Sequence, residues 1–177
     1  MRNKYLNFTL VFMTFLFTAC AVVPTPTPQS KVVRLAINLQ SLDQNITIAE
    51  SMRLSREIFT KTEALTKEFE LTSPPLWHNF LVNVGVRKKG LCFHWSDALY
   101  NHFKKQNYPK FSFHLVGANI GGYFTEHNAL VVLSKDGKIE DGILIDPWRD
   151  SGNLFFKKVK EDEKYHWLHR IDRGCAR

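Results

Sequence analysis

Cysteine is scarce in this chain, with 3 in 177 residues, at positions 20, 92 and 175. So few exclude a disulfide-dense scaffold, in which cross-links stand in for a core. Long apolar runs are missing too. The most extended, Leu10 to Phe17, falls short of the roughly 20 apolar residues that span a bilayer. No internal repeat, second Pro-rich linker or nucleic-acid motif is visible, which excludes repeat architectures and the common nucleic-acid-binding modules. Nor does one sign of charge dominate. Without residues 1–19, which carry Arg2 and Lys4, 22 basic residues face 17 acidic ones, in short basic clusters at 87–89, 104–105 and 157–158. Such clusters read as a solvated face. For an exported chain the electrostatic partners are anionic lipid or cell-wall polymer.

What is present begins at the N-terminus. Arg2 and Lys4 precede the apolar run, which ends in Thr18-Ala19 before Cys20, the layout of a secretory signal. The sequence Phe17-Thr18-Ala19-Cys20 resembles a bacterial lipobox, with Phe17 where leucine is usual. The resemblance implies cleavage before Cys20 and lipidation there, a firm membrane anchor. Ala21 follows instead of the aspartate that retains such proteins at the inner membrane, so in a Gram-negative host the outer membrane facing the periplasm is expected. Residues 20–30, including AVVPTPTPQS, read as the lipidated cysteine with an extended spacer. Residues 31–177 are long enough for one domain with its own core.

Within that domain the chain divides into helices and then strands. Residues 48–69 carry Met52, Phe59, Leu65 and Phe69 at near-helical spacing. A second helix is expected from Ser73 as N-cap and Pro74 as first residue, with Leu76, Phe80, Leu81 and Val84 toward the core. A third starts near Gly90, where Cys92, Trp95, Ser96, Leu99 and Phe103 fall on one face. Cys92 therefore sits in a helical first turn, where unpaired N–H groups and the helix dipole favour a thiolate. After Pro109 the segments KFSFHLVG, HNALVVLS and GILIDPW read as strands, and Asp136-Gly137 marks the turn between the last two. LFFKKV and YHWLHRI are further short strands. This order, helices and then an antiparallel sheet, predicts an α+β domain.

His127 opens one strand of the hairpin and Asp146 closes the other, about equally far from the turn at 136–137. Their ends meet on one side of the sheet, where a carboxylate orients an imidazole toward a thiol. The segments GLCFHWSDAL, EHNALVV and GILIDPW, in that order, resemble the transglutaminase-like group of the papain-like cysteine enzymes. The resemblance covers about residues 73–150. It implies Cys92 as nucleophile, His127 as general base and acid, and Asp146 as its orienting group. It also implies acyl transfer through a thioester on a peptide-like or cell-wall amide, with no cofactor. One departure is that Asn128 and Ala129 follow His127, where an aromatic is usual, so substrate fit does not transfer.

A thioester mechanism needs an oxyanion hole, and the Cys92 N–H is one donor. Trp77, Asn79 and Asn83 are candidates for a second by position, with Asn83 favoured. Trp148 and Arg149 follow Asp146; Trp148 either shields the site or closes the core. The competing reading is a non-catalytic envelope lipoprotein that binds or scaffolds, with Cys92 joined to Cys175. A metal site from Cys92 and His94 conflicts with helical geometry, since residues two apart point to different sides. The other histidines read as structural.

Overall fold

The structure is a computed structural model and describes residues 21–22 and 26–170. Among these, four helices precede the strands: α1 (Gln29–Gln40), α2 (Ile48–Glu68), α3 (Pro75–Asn83) and α4 (Cys92–Phe103). Strands β1 (Phe111–Ala118), β2 (His127–Ser134), β3 (Ile143–Asp146), β4 (Phe155–Lys158) and β5 (Leu168–His169) form one sheet in the order β4-β3-β2-β1-β5. All neighbours are antiparallel. The domain is α+β. Among the described residues no helix is long and apolar enough to cross a membrane.

Period-two alternation divides the sheet into two faces. Leu130, Val132, Ile143 and Ile145 meet Leu35, Leu54, Ile58, Trp95 and Leu99 of the helices in the main core. Ala129, Val131, Leu133 and Leu144 face the other way, under Val159 and Trp167 of the C-terminal segment. In α2, Thr47 caps the helix by accepting from the Glu50 N–H, and Glu50 returns the bond to the Thr47 N–H.

Three elements differ from the sequence expectation. Helix α1 is absent from the sequence expectation, although Val32, Leu35, Ala36 and Leu39 recur at helical spacing and are all buried; it starts at Gln29, inside the expected spacer. Residues before it are docked as well. Ala21 bridges Thr72, the Val22 N–H donates to the Leu71 carbonyl at 2.9 Å, and the Thr27 hydroxyl donates to Glu63 at 2.7 Å. Of the described residues of YHWLHRI, 165–170, Leu168 and His169 alone join the sheet.

Helix α3 differs most. Pro74 is its cap and Pro75 its first residue, and three of the four expected core positions point outward, with Leu76 71% exposed, Phe80 50% and Val84 53%, while Leu81 is half-buried. The buried residue is His78. Its Nδ1 accepts from the Thr72 N–H at 3.2 Å, and its Nε2–H donates to the Lys89 carbonyl at 2.8 Å. A buried imidazole must be satisfied at both nitrogens, and these two bonds fix the rotation of the helix. Burial pushes the His78 pKa below its ordinary value, and Arg87 adds to this against the Lys89 carbonyl bond. Gly90 completes the tie. At φ +121° it adopts a backbone that side chains avoid, and a Cβ there would lie 2.1 Å from His78 Nε2.

Candidate active site

The segment that begins at Gly90 leads directly into the helix that carries Cys92. Leu91 occupies the cap position of α4 and has no side-chain acceptor to offer. His94 replaces it, its Nδ1 accepting from the N–H groups of Gly90 at 3.1 Å and Leu91 at 3.2 Å. The Trp95 indole donates to the Gly90 carbonyl at 3.2 Å. Trp95, Ser96, Leu99 and Phe103 are buried, and Cys92, on the same face one turn earlier, is partly exposed. An aromatic core thus holds the thiol in the first helical turn, where the dipole favours an anion.

His127 and Asp146 come together across the hairpin. His127 Nε2 lies 2.7 Å from Asp146 Oδ2, and both side chains are almost fully buried. The contact is diagonal. The ladder pairs Leu130 with Ile145 and Val132 with Ile143, which sets Asp146 opposite Ala129, two residues along from His127 on the same face. His127 Nδ1 is buried with no fixed hydrogen bond, and the Cys92 sulfur is close enough to act on the ring's charge. Burial disfavours the charged ring, but the bond to Asp146, the Cys92 sulfur and the charge of Asp146 outweigh it. Together they push His127 up to about 9.

The acidic side is secured by an arginine that sequence reasoning placed only as Asp146's neighbour. Arg149 Nε donates to Asp146 Oδ2 at 3.0 Å, and its other nitrogens grip Asp162 at 3.1 and 2.8 Å. The Trp167 indole adds a bond to Asp162 at 2.8 Å. A buried carboxylate pair needs this cation, because unpaired charge is costly away from water. The bonds from Arg149 and Trp167 outweigh the effect of burial and hold Asp162 below its usual range. Around His127 stand Trp148 and Tyr165, each 4.7 Å away between ring centres, and Trp167 at 5.3 Å. Trp148 therefore meets both expectations, shielding the imidazole and packing against the main core.

Asn128 is the site residue that sequence reasoning missed. Its Nδ2 donates to Cys92 Sγ at 3.7 Å. Its orientation is fixed, because Arg170 Nη1 donates to Asn128 Oδ1 and also pairs with Glu126 at 2.6 Å. An oxygen held by arginine turns the amide nitrogen the other way, where Nδ2 donates to Glu126 Oε1 at 3.3 Å as well as to the sulfur. Strand alternation gives the reason for the placement: His127 and Asp146 lie on one face, and Asn128 lies on the helix-facing side with Cys92. Asn83, the favoured second oxyanion donor, is exposed at the last turn of α3. On that helix Asn79 is the residue that turns toward the site, accepting from the Trp148 indole at 3.0 Å. The Trp77 ring stacks on Phe80 at 5.2 Å.

Among the described residues no group of three or more His, Cys, Asp or Glu is arranged to hold a metal ion. The His94 ring is engaged as a helix cap beside Cys92. Cys20 and Cys175 lie outside the described residues. Comparisons with protein-family models, with curated proteins and with solved structures find no match.

Proposed function

We propose that the protein is a thiol enzyme of the transglutaminase-like, papain-like type, anchored to the bacterial cell envelope through lipidated Cys20. It cleaves or transfers an acyl group on a peptide-like or cell-wall amide. One observation carries the reading: His127 stands between the Asp146 carboxylate at 2.7 Å and the Cys92 thiol at the start of α4. The thiol proton passes to His127 Nδ1 as the sulfur becomes the nucleophile. Sulfur attacks the amide carbon, and the carbonyl electrons move onto oxygen. The Cys92 N–H faces that oxygen at the helix start, as an oxyanion donor should. His127 Nδ1–H then gives its proton to the departing nitrogen as the carbon–nitrogen bond breaks, leaving a thioester. Water or an amine attacks the thioester, its proton passes to His127, and the thiolate leaves. Asp146 stabilises the imidazolium throughout, while Asn128 and the helix dipole stabilise the thiolate.

The test is iodoacetamide alkylation of Cys92 across pH. Fast labelling well below the ordinary thiol pKa of about 8.5, lost in His127→Ala, is expected. Labelling of Cys92 only after reduction, with Cys92 and Cys175 recovered in one cross-linked peptide, overturns the enzyme reading in favour of the binding or scaffolding lipoprotein.

A further inference from the structure

Helix α3 leaves its apolar face uncovered: Leu76, Trp77, Phe80, Val84 and Val86 are 38–71% exposed on the helix and just beyond it. From Ser73 to Val86 the chain has no carboxylate, lysine or arginine, and its one titratable group, His78, is buried and biased toward the neutral form. Arg87, Lys88 and Lys89 follow at once. Arg87 and Lys89 pair with Glu70 and Glu68 at 3.3 and 3.1 Å across exposed surface, and Lys88 is exposed. Apolar and aromatic residues bordered by lysine and arginine are the composition of a helix lying in a membrane interface.

The chain's own path indicates what covers this face. Ala21 bridges Thr72, and α3 begins at Pro75. Ala21, the point at which the preceding chain is joined to the described fold, therefore sits at the foot of α3. The expected lipid attachment site, Cys20, is the next residue, and the apolar run ends at Phe17. Even from Phe17 the extended chain reaches at most about 14 Å. With residues 21–22 docked, no spacer is left to lift the fold from the surface. A second copy is a poorer occupant. A nine-residue helix is about 13 Å long, and one of its faces is a small part of the ~800 Å² that each partner contributes to a stable interface.

We propose that α3 is a membrane-docking helix whose apolar face lies in the interface of a bilayer containing anionic lipid. The inference rests on the reading of the chain as membrane-anchored. It deepens that reading by giving the domain a fixed face toward the lipid. Asn79 on the same helix holds Trp148, which stands against His127, so the docked helix forms a wall of the site. The amide substrate is then one presented at the membrane surface.

The test uses the full chain reconstituted into vesicles of phosphatidylethanolamine and phosphatidylglycerol, with and without bromine on the acyl chains. Trp95 and Trp167 are buried and Trp148 is partly buried in the fold, so quenching by bromine reports Trp77. Expected is loss of the emission component that Trp77→Phe removes. That loss should disappear in the Leu76→Glu/Phe80→Glu double variant, which changes only exposed side chains, while the protein still floats with the vesicles. Flotation without quenching overturns the docking and leaves the anchor. Absence of flotation overturns both. Quenching that persists in the double variant, or cross-linking of two copies through α3 in place of quenching, also overturns it.

Discussion

The charge state of His127 is the quantity on which the proposed chemistry turns. Its pKa rises from an ordinary 6.5 to about 9, which at about 1.4 kcal/mol per pH unit is about 3 kcal/mol of preference for the imidazolium. The bond to Asp146 is the largest favourable contribution and Cys92 the next. In an NMR titration of the labelled ring, Asp146→Asn should lower the midpoint further than Cys92→Ser does. The asparagine keeps an acceptor for Nε2–H but no charge. Stability carries the same signature. A base with a raised folded pKa stabilises fully below its unfolded value of about 6.5, and the contribution is lost as pH rises through about 9. The stability gap between wild type and His127→Gln, from urea unfolding, should therefore shrink by about 3 kcal/mol between about pH 6 and pH 10. A wild-type ring that titrates at or below 6.5, or one indifferent to Asp146→Asn, would refute the reasoning.

Two further substitutions probe the scaffold behind the site. Arg149→Ala strands the carboxylates of Asp146 and Asp162, and loss of about 3–5 kcal/mol is expected in chemical denaturation at neutral pH. Protonation relieves stranded carboxylates, so the deficit should narrow in acid; a loss under about 1 kcal/mol would mean that water reaches the pair. Gly90→Ala drives a methyl group into His78 Nε2 in a backbone that alanine avoids. It should destabilise by about 1–3 kcal/mol and slow Cys92 alkylation, because it displaces the turn that starts α4. A variant with wild-type stability and labelling would show that the turn does not position the thiol.

Helices α2, α3 and α4 and the strands of the hairpin were legible from sequence, as was the gathering of Cys92, His127 and Asp146 at one end of that hairpin; α1 was missed although its buried residues recur at helical spacing. The register was not: equal distance from the turn sets Asp146 opposite His127, whereas the single turn of helix at Ile139–Asp141 displaces the ladder by two residues and sets it opposite Ala129. A shift of one would have turned every apolar side chain to the wrong face; a shift of two changes neither face, so the hydrophobic pattern is blind to it. Asn128 was within reach of the same alternation. Placing His127 on one face places its neighbour on the face that carries Cys92. Asp162 had no such signal, since it reaches the site from irregular chain between β4 and β5; Arg170 lies in the expected strand YHWLHRI, but it follows the two residues that pair and its direction was not fixed by them.

Helix α3 exposes the limit of reading amphipathicity as inside against outside. Leu76, Phe80 and Val84 recur as a core face should, and that inference holds only where water is the alternative environment. Two hydrogen bonds to His78 settle the rotation of the helix at the expense of its apolar side chains. Their exposure to water is unfavourable by roughly 1 kcal/mol or more for each large residue. A fold that keeps such a face, and sets Ala21 at its foot, is consistent with a second apolar solvent for that helix. The periodicity identifies the apolar face, and the bridge from Ala21 to Thr72 supplies the reason for assigning it to the membrane.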